Sequence, residues 1–318
     1  MTKHLNFKPF LGPAILLVGA VIWGSSFVAQ SDGGVIGSCT FQGLRNTLAF
    51  LSIGLAVLVK ERIERHKGAP RPRYTNAKDY ISKNRDQLKA GLLCGIFLFL
   101  ATITQQIGID LNGVGVSVGR AGFLTALYIV LVPVFGAVSG KKITLKAWIS
   151  VAVAVGGLYL ISVKPGAGGG ISLADGLMIV CAVFFSMQIL TIDAYAQKTD
   201  GLRLSCTEFL ICAALSLTGM LLFEKPELAE INRNWGSIFY SGVMSGGFGY
   251  TLQILGQKYT KPVLASLLMS LESVFSALSD WVIRGNALSA RELAGCAVMF
   301  AAVILAQLPD IKKSKKIK

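Results

Sequence analysis

Residues 13–27 read Pro13-Ala14-Ile15-Leu16-Leu17-Val18-Gly19-Ala20-Val21-Ile22-Trp23-Gly24-Ser25-Ser26-Phe27, inside a stretch, 12–30, without a single Lys, Arg, Asp or Glu. At 1.5 Å per residue, about 20 apolar residues span a hydrocarbon core of about 30 Å. Nine similar stretches follow, at 38–59, 90–109, 117–138, 147–163, 172–192, 203–223, 236–256, 262–283 and 292–308. Hydrophobic residues make up 53% of the 318 and charged residues 15%, against the roughly 25% charged content of soluble domains. The sequence therefore predicts an all-α integral membrane protein with ten transmembrane helices, because only hydrogen-bonded helices keep the backbone satisfied against lipid tails. The first stretch, without a good small-residue cleavage pattern and with nine more behind it, is expected to be an uncleaved anchor.

The basic residues sort by side. With the N-terminus placed in the cytoplasm, 24 of the 31 Lys and Arg fall in cytoplasmic segments, 5 fall outside, and Arg45 and Arg120 lie within spans. That asymmetry predicts both termini in the cytoplasm. It also accounts for the net charge of +14 through anionic headgroups, with no nucleic acid needed as a partner. Ten of the basic residues crowd the polar loop 60–89, and five the tail 309–318. Within the tail, Lys315 and Lys316 read as a topology signal; they also stand where a dilysine retrieval address would stand.

The chain repeats. Gly19 to Ser26 aligns with Cys181 to Gln188, Gln105-Gln106-Ile107-Gly108 with Gln253-Ile254-Leu255-Gly256, and Pro133-Val134-Phe135 with Ser273-Val274-Phe275, in the same order. Gly168-Gly169-Gly170 marks a flexible connector between the halves. The predicted units are residues 1–163 and 171–308, each with five spans. Five is odd, so two such units in series enter the membrane from opposite sides: two inverted five-helix repeats, a device of many secondary transporters.

Ten spans in two halves, with Trp23-Gly24-Ser25-Ser26-Phe27, Arg45, Pro133-Val134-Phe135 and Glu272-Ser273-Val274-Phe275, resemble the drug/metabolite transporter superfamily, EamA-type family, over 12–308. The resemblance implies movement of small metabolites, amino acids or drugs across a bacterial inner (plasma) membrane, often as export. The loop 60–89 is longer than is usual in that family, and Ser273 stands where Pro is common.

Polar groups inside spans are expensive, about 2.5–3.5 kcal/mol for an ionised side chain on insertion scales, so those present need a partner or a water-filled cavity. Glu272, ten residues into the ninth span, is the candidate proton-coupling carboxylate; the alternative is a helix–helix hydrogen bond or ion pair. Arg45 could grip an anionic group of a solute through its planar fork, or pair with Glu272 or Glu208. Gln105 and Gln253 sit at matching depths as candidate solute contacts or interhelical glue. Trp23, Ser26, Tyr128 and Gln188 are further candidate lining residues. Pro133 withdraws one hydrogen bond near Ile129 and is the candidate hinge. Gly91/Gly95 and Gly242/Gly246 are spaced for close helix contact.

Neither His4 nor His66 lies in a span, and the six cysteines hold no C-x-x-C, so no metal or cofactor is predicted. No G-x-x-x-x-G-K-[ST] loop occurs. The expected function is a secondary transporter working by alternating access, driven by a proton gradient through Glu272 or by the solute gradient alone, rather than an enzyme, with a small-molecule substrate and the lipid bilayer as partners and a homodimer left open. A nucleotide-sugar or nucleoside-type exchanger, a channel and a lipid-modifying enzyme are the rivals.

Overall fold

The computed structural model describes residues 8–33, 36–68, 75–112, 118–163 and 172–308; Gly168 to Gly170, Lys315 and Lys316 lie outside them. The described chain is helical. Among the described residues eight helical segments, Pro262–Arg284 counted as one, are long and apolar enough to cross a membrane. In order, α1 is Lys8–Gly33, α2 Ser38–His66, α3 Ala77–Lys83, α4 Arg85–Asn112, α5 Val118–Thr125, α6 Tyr128–Val138 and α7 Leu145–Ser162. Then come α8 Leu173–Tyr195, α9 Gly201–Phe223, α10 Leu228–Arg233, α11 Trp235–Phe239, a π-helical stretch Tyr240–Gly249, α12 Tyr250–Gln257, α13 Pro262–Met269, α14 Glu272–Arg284 and α15 Ala290–Gln307.

Two of the predicted spans are broken at related points. Between α5 and α6 the backbone tightens to i→i−3 bonding: Leu127 N–H donates to Leu124 at 3.3 Å and Val130 to Leu127 at 2.9 Å. Between α13 and α14 it does the same, Leu271 to Leu268 at 3.3 Å and Ser273 to Ser270 at 3.2 Å. Pro133 lies inside α6, so the chain turns six residues before the expected hinge. The second break occurs with no proline between Pro262 and Arg284. Proline is thus not the common cause; the shared feature is a helix that restarts at a polar residue, Tyr128 in one case and Glu272 in the other.

The predicted eighth span, 236–256, is not one regular α-helix either. Its middle is π-helical, a winding found mostly as short bulges near functional sites. Glycines let this wide backbone press on α2. A Cβ at Gly242 would meet the Arg45 carbonyl at 2.8 Å, one at Gly246 the Ala49 Cβ at 2.9 Å, and one at Gly247 the Ser52 hydroxyl at 2.5 Å. A Cβ on Gly91 or Gly95 of α4 would likewise meet Thr207 and Ile211 of α9, at 2.5 and 2.6 Å.

The helices pack in related pairs: α2 on α9, α4 on α8 and α9, α1 on the π stretch and α12–α14, and α7 on α15. The α7–α15 crossing is made by Gly157 and Gly295. A Cβ on Gly295 would stand 2.7 Å from the Gly157 carbonyl oxygen and 2.9 Å from the Ile161 nitrogen, and one on Gly157 would stand 2.9 Å from the Gly295 oxygen. Backbone atoms cannot yield as a flexible side chain can. Gly295→Val is therefore expected to cost at least about 2 kcal/mol through overpacking, read as a lowered melting temperature in detergent. Gly156→Ala, beside Gly157 in α7 but facing open space, is expected to leave the melting temperature unchanged or raise it, alanine being about 0.5–1 kcal/mol better than glycine in a helix interior.

Outward-facing Leu51, Leu55, Leu58, Leu221, Leu222 and Ile304 are exposed, as expected of faces turned to lipid: this is a multi-pass membrane protein. One end of the bundle carries a polar ring. Arg203 Nη2 meets Glu61 Oε1 at 3.0 Å, Gln87 Oε1 accepts from Asp200 N–H at 3.0 Å, and Lys60 pairs with Asp200. Burial pushes the Asp200 carboxyl up, but the Lys60 ammonium and the Arg203 backbone N–H outweigh it and hold it below the usual carboxylate range. The contribution of this pair is thus present above ordinary carboxylate pKa values and is lost only as pH falls through the lowered value.

Candidate functional site

An internal cavity of about 40 Å³ lies between the two halves of the chain. From residues before 164 it is lined by Trp23, Phe27, Gln30, Arg45, Gln105 and Tyr128; from residues after 171, by Phe185, Ile189, Ser245, Tyr250, Gln253, Met269 and Glu272. Six of the sequence candidates therefore meet at one place: Trp23, Arg45, Gln105, Tyr128, Gln253 and Glu272. Ser26 and Gln188 do not line the cavity. Both are fully buried, each behind a lining residue.

Glu272 opens α14, where the positive end of the helix dipole favours a carboxylate. Its side chain is buried, and the Tyr128 hydroxyl donates to its Oε1 at 3.1 Å. Each partner opens the second helix of a broken pair. A break thus brings a helix start, rather than a helix flank, to the cavity wall. No Lys or Arg among the described residues forms an ion pair with Glu272, so its charged form relies on neutral donors.

Arg45 is 2% exposed. Its Nη1 donates to Gln30 Oε1 at 3.2 Å and its Nε has no partner. The expected alternative, an ion pair with Glu272 or Glu208, is not formed. Gln30 is held in turn by Ser26, whose backbone oxygen and hydroxyl each accept from Gln30 Nε2 at 3.4 Å. Ser26 therefore acts one layer back from the cavity.

Aromatic rings frame the space. Trp23 and Tyr250 lie 5.0 Å apart between centroids, Tyr250 meets Phe209 edge-on at 5.5 Å, and Tyr128 meets Phe185 edge-on at 6.3 Å. Trp23 Nε1 donates to the Ser245 carbonyl at 3.4 Å. That carbonyl belongs to the π-helical stretch, so the wide winding presents backbone polarity to the cavity wall. Gln105 Nε2 donates to Thr125 Oγ1 at 3.3 Å. Gln188 Nε2 donates to Glu208 Oε1 at 2.7 Å, and Gln253 Nε2 to Gln188 Oε1 at 2.9 Å.

Sequence reasoning missed Gln30, Phe27, Phe185, Ile189, Ser245, Tyr250 and Met269 as lining residues. Gln30 had a usable signal: an amide at the end of a charge-free span, four residues from Ser26. Ser245 and Tyr250 lie in and just after the glycine-rich run 242–249, where close backbone approach was legible but its direction was not.

The arrangement offers a small cavity with one guanidinium, one carboxyl, three glutamine amides and aromatic walls. Comparison with known proteins gives it a family. The EamA-like transporter family matches the chain twice, over residues 10–163 and 172–308. An uncharacterized transporter from Archaeoglobus fulgidus is 28% identical over 225 residues, 69% of each chain. A protein of known crystal structure superposes with a TM-score of 0.73 at 18% identity, covering 93% of this chain and 96% of its own, which shows a shared fold. On the two matches that together span nearly all of its length, this chain belongs to the EamA-like transporter family.

Proposed function

We propose that the protein is a secondary transporter that moves a small metabolite across a bacterial cytoplasmic membrane by alternating access. It would be built from ten spans in two inverted five-span repeats, with both termini cytoplasmic. The observation that carries this reading is the cavity shared by both halves, with Arg45 from one and Glu272 from the other on its wall and no ion pair between them. About 40 Å³ holds one or two waters. Its wall joins residues of both halves, as an alternating carrier requires.

The packing supports the inverted repeat. Counting α5–α6 as the fourth span, α11–α12 as the eighth and α13–α14 as the ninth, span one packs on eight and nine as span six packs on three and four. Span two packs on seven and eight as seven packs on two and three, and spans five and ten pack on each other. Exchanging the halves reproduces the pattern. The charge asymmetry along the sequence supports the orientation.

A guanidinium on the wall without a carboxylate partner suits a solute with a single negative end, such as a carboxylate. Such a solute fits better than a nucleotide sugar, which would call for several cations where Arg45 is the one among the lining residues. Glu272 is the group we assign to proton coupling. The test is counterflow in proteoliposomes preloaded with a mixture of amino acids, amines and carboxylates. A carrier gives saturable uptake of labelled solute accelerated from the far side. Flux that neither saturates nor exchanges would mean a channel, and chemical conversion of a lipid would mean an enzyme.

A further inference from the structure

We infer that a chain of side-chain amides fixes the polarity of Gln253, so that the site meets its solute with a carbonyl oxygen and takes a solute bearing a hydrogen-bond donor at that point. The inference rests on the transporter reading for its biological meaning and on geometry for its content. Gln253 is 3% exposed and lines the cavity. Its Nε2 donates twice, to Gln188 Oε1 at 2.9 Å and to Gln257 Oε1 at 3.1 Å. Both donor positions of the amide are therefore filled on the protein side, and Oε1 is left for the cavity.

The Gln257 end of the chain determines this orientation. Gln257 Nε2 donates to the Ile189 backbone carbonyl at 3.0 Å, and a carbonyl can only accept. On the other side Gln188 Nε2 donates to Glu208 Oε1 at 2.7 Å. Turning Gln253 over would force Gln188 and Gln257 to turn with it. That would set Gln257 Oε1 against the Ile189 oxygen and break a buried hydrogen bond there. A free surface glutamine presents either face; this one is held from both sides. Gln188 is accordingly a positioning residue that acts through Gln253, and Glu208, fully buried, is the anchor of that arm.

The test is binding to the full-length protein in detergent, by calorimetry, with two probes of similar shape: phenethylamine, which ends in a donor, and 3-phenylpropionate, which ends in an acceptor. Binding needs no transport, so failure here is distinct from failure of counterflow. Gln253→Met, which removes the oxygen at similar volume, is expected to weaken phenethylamine at least tenfold and to leave 3-phenylpropionate within threefold. Gln188→Met frees one arm and is expected to weaken the amine about threefold with the acid unmoved; it carries the test if Gln253→Met does not fold. The inference is overturned if the native protein does not bind phenethylamine, if Gln253→Met binds it within twofold of native, or if either Met variant loses both probes equally.

Discussion

Glu272→Gln is expected to abolish proton-driven accumulation of solute, by at least tenfold, while leaving counterflow within about threefold of native. Tenfold is about 1.4 kcal/mol. The expectation follows from the surroundings of the carboxyl. Glu272 is buried, it receives one hydrogen bond, from Tyr128, and no cation pairs with it among the described residues. A glutamine keeps the shape and can still accept from the Tyr128 hydroxyl, so the fold has little to lose. What it cannot do is exchange a proton with the two sides in turn. Exchange of solute for solute needs no proton and should persist. The measurement is uptake into proteoliposomes with and without an imposed pH gradient, alongside counterflow at constant pH. Unchanged gradient-driven uptake in the variant would take Glu272 out of the mechanism.

Arg45→Met carries the second large effect, and it has two opposite parts. Solute binding should fall by 10- to 100-fold, since a charge-assisted hydrogen bond contributes about 1.5–3 kcal/mol. Arg45→Lys should recover only part of that, because an ammonium lacks the planar fork. Stability should not fall with binding. Arg45 is buried with one bond to Gln30, no carboxylate partner and an unpartnered Nε, so the fold bears the cost of an uncompensated ion. Replacing such an ion by an apolar side chain of similar length is often neutral or stabilising. The melting temperature of Arg45→Met is therefore expected to match or exceed that of the native protein. A variant that lost binding and stability together would mark Arg45 as a structural residue.

Much of this was legible in the sequence, and the reason is lipid. A span must be apolar for about twenty residues, so departures from apolarity stand out. Trp23, Arg45, Gln105, Tyr128, Gln253 and Glu272 were found that way, and all six line the cavity. The same signal does not say which face of a helix a polar group occupies. Ser26 and Gln188 look like lining residues by composition, yet each lies behind one, Ser26 behind Gln30 and Gln188 behind Gln253. The breaks were harder still. Pro133 pointed to the fourth span but not to Ala126–Leu127, and Ser273 gave no reason to expect a break in the ninth. Both breaks replace one backbone bonding pattern with another, a choice set by the packing around Tyr128 and Glu272 rather than by any residue's own preference. The π-helical stretch belongs with them: its glycines marked close approach to α2, not a change of winding.

The pairing of Tyr128 with Glu272 gathers these points. Each residue restarts a helix, each comes from a different half of the chain, and they meet at 3.1 Å across the cavity. If the halves move against each other, this contact and the cavity behind it must open to one side and then to the other. Ser245, small and on the cavity wall, is the place to watch that happen. In a functional background without the six native cysteines, Ser245→Cys should react with a membrane-impermeant thiol reagent from either side of the membrane, with the favoured side exchanging when the solute gradient is reversed. A cysteine there that reacts from one side alone under both gradients, or from neither, would contradict alternating access to a shared cavity.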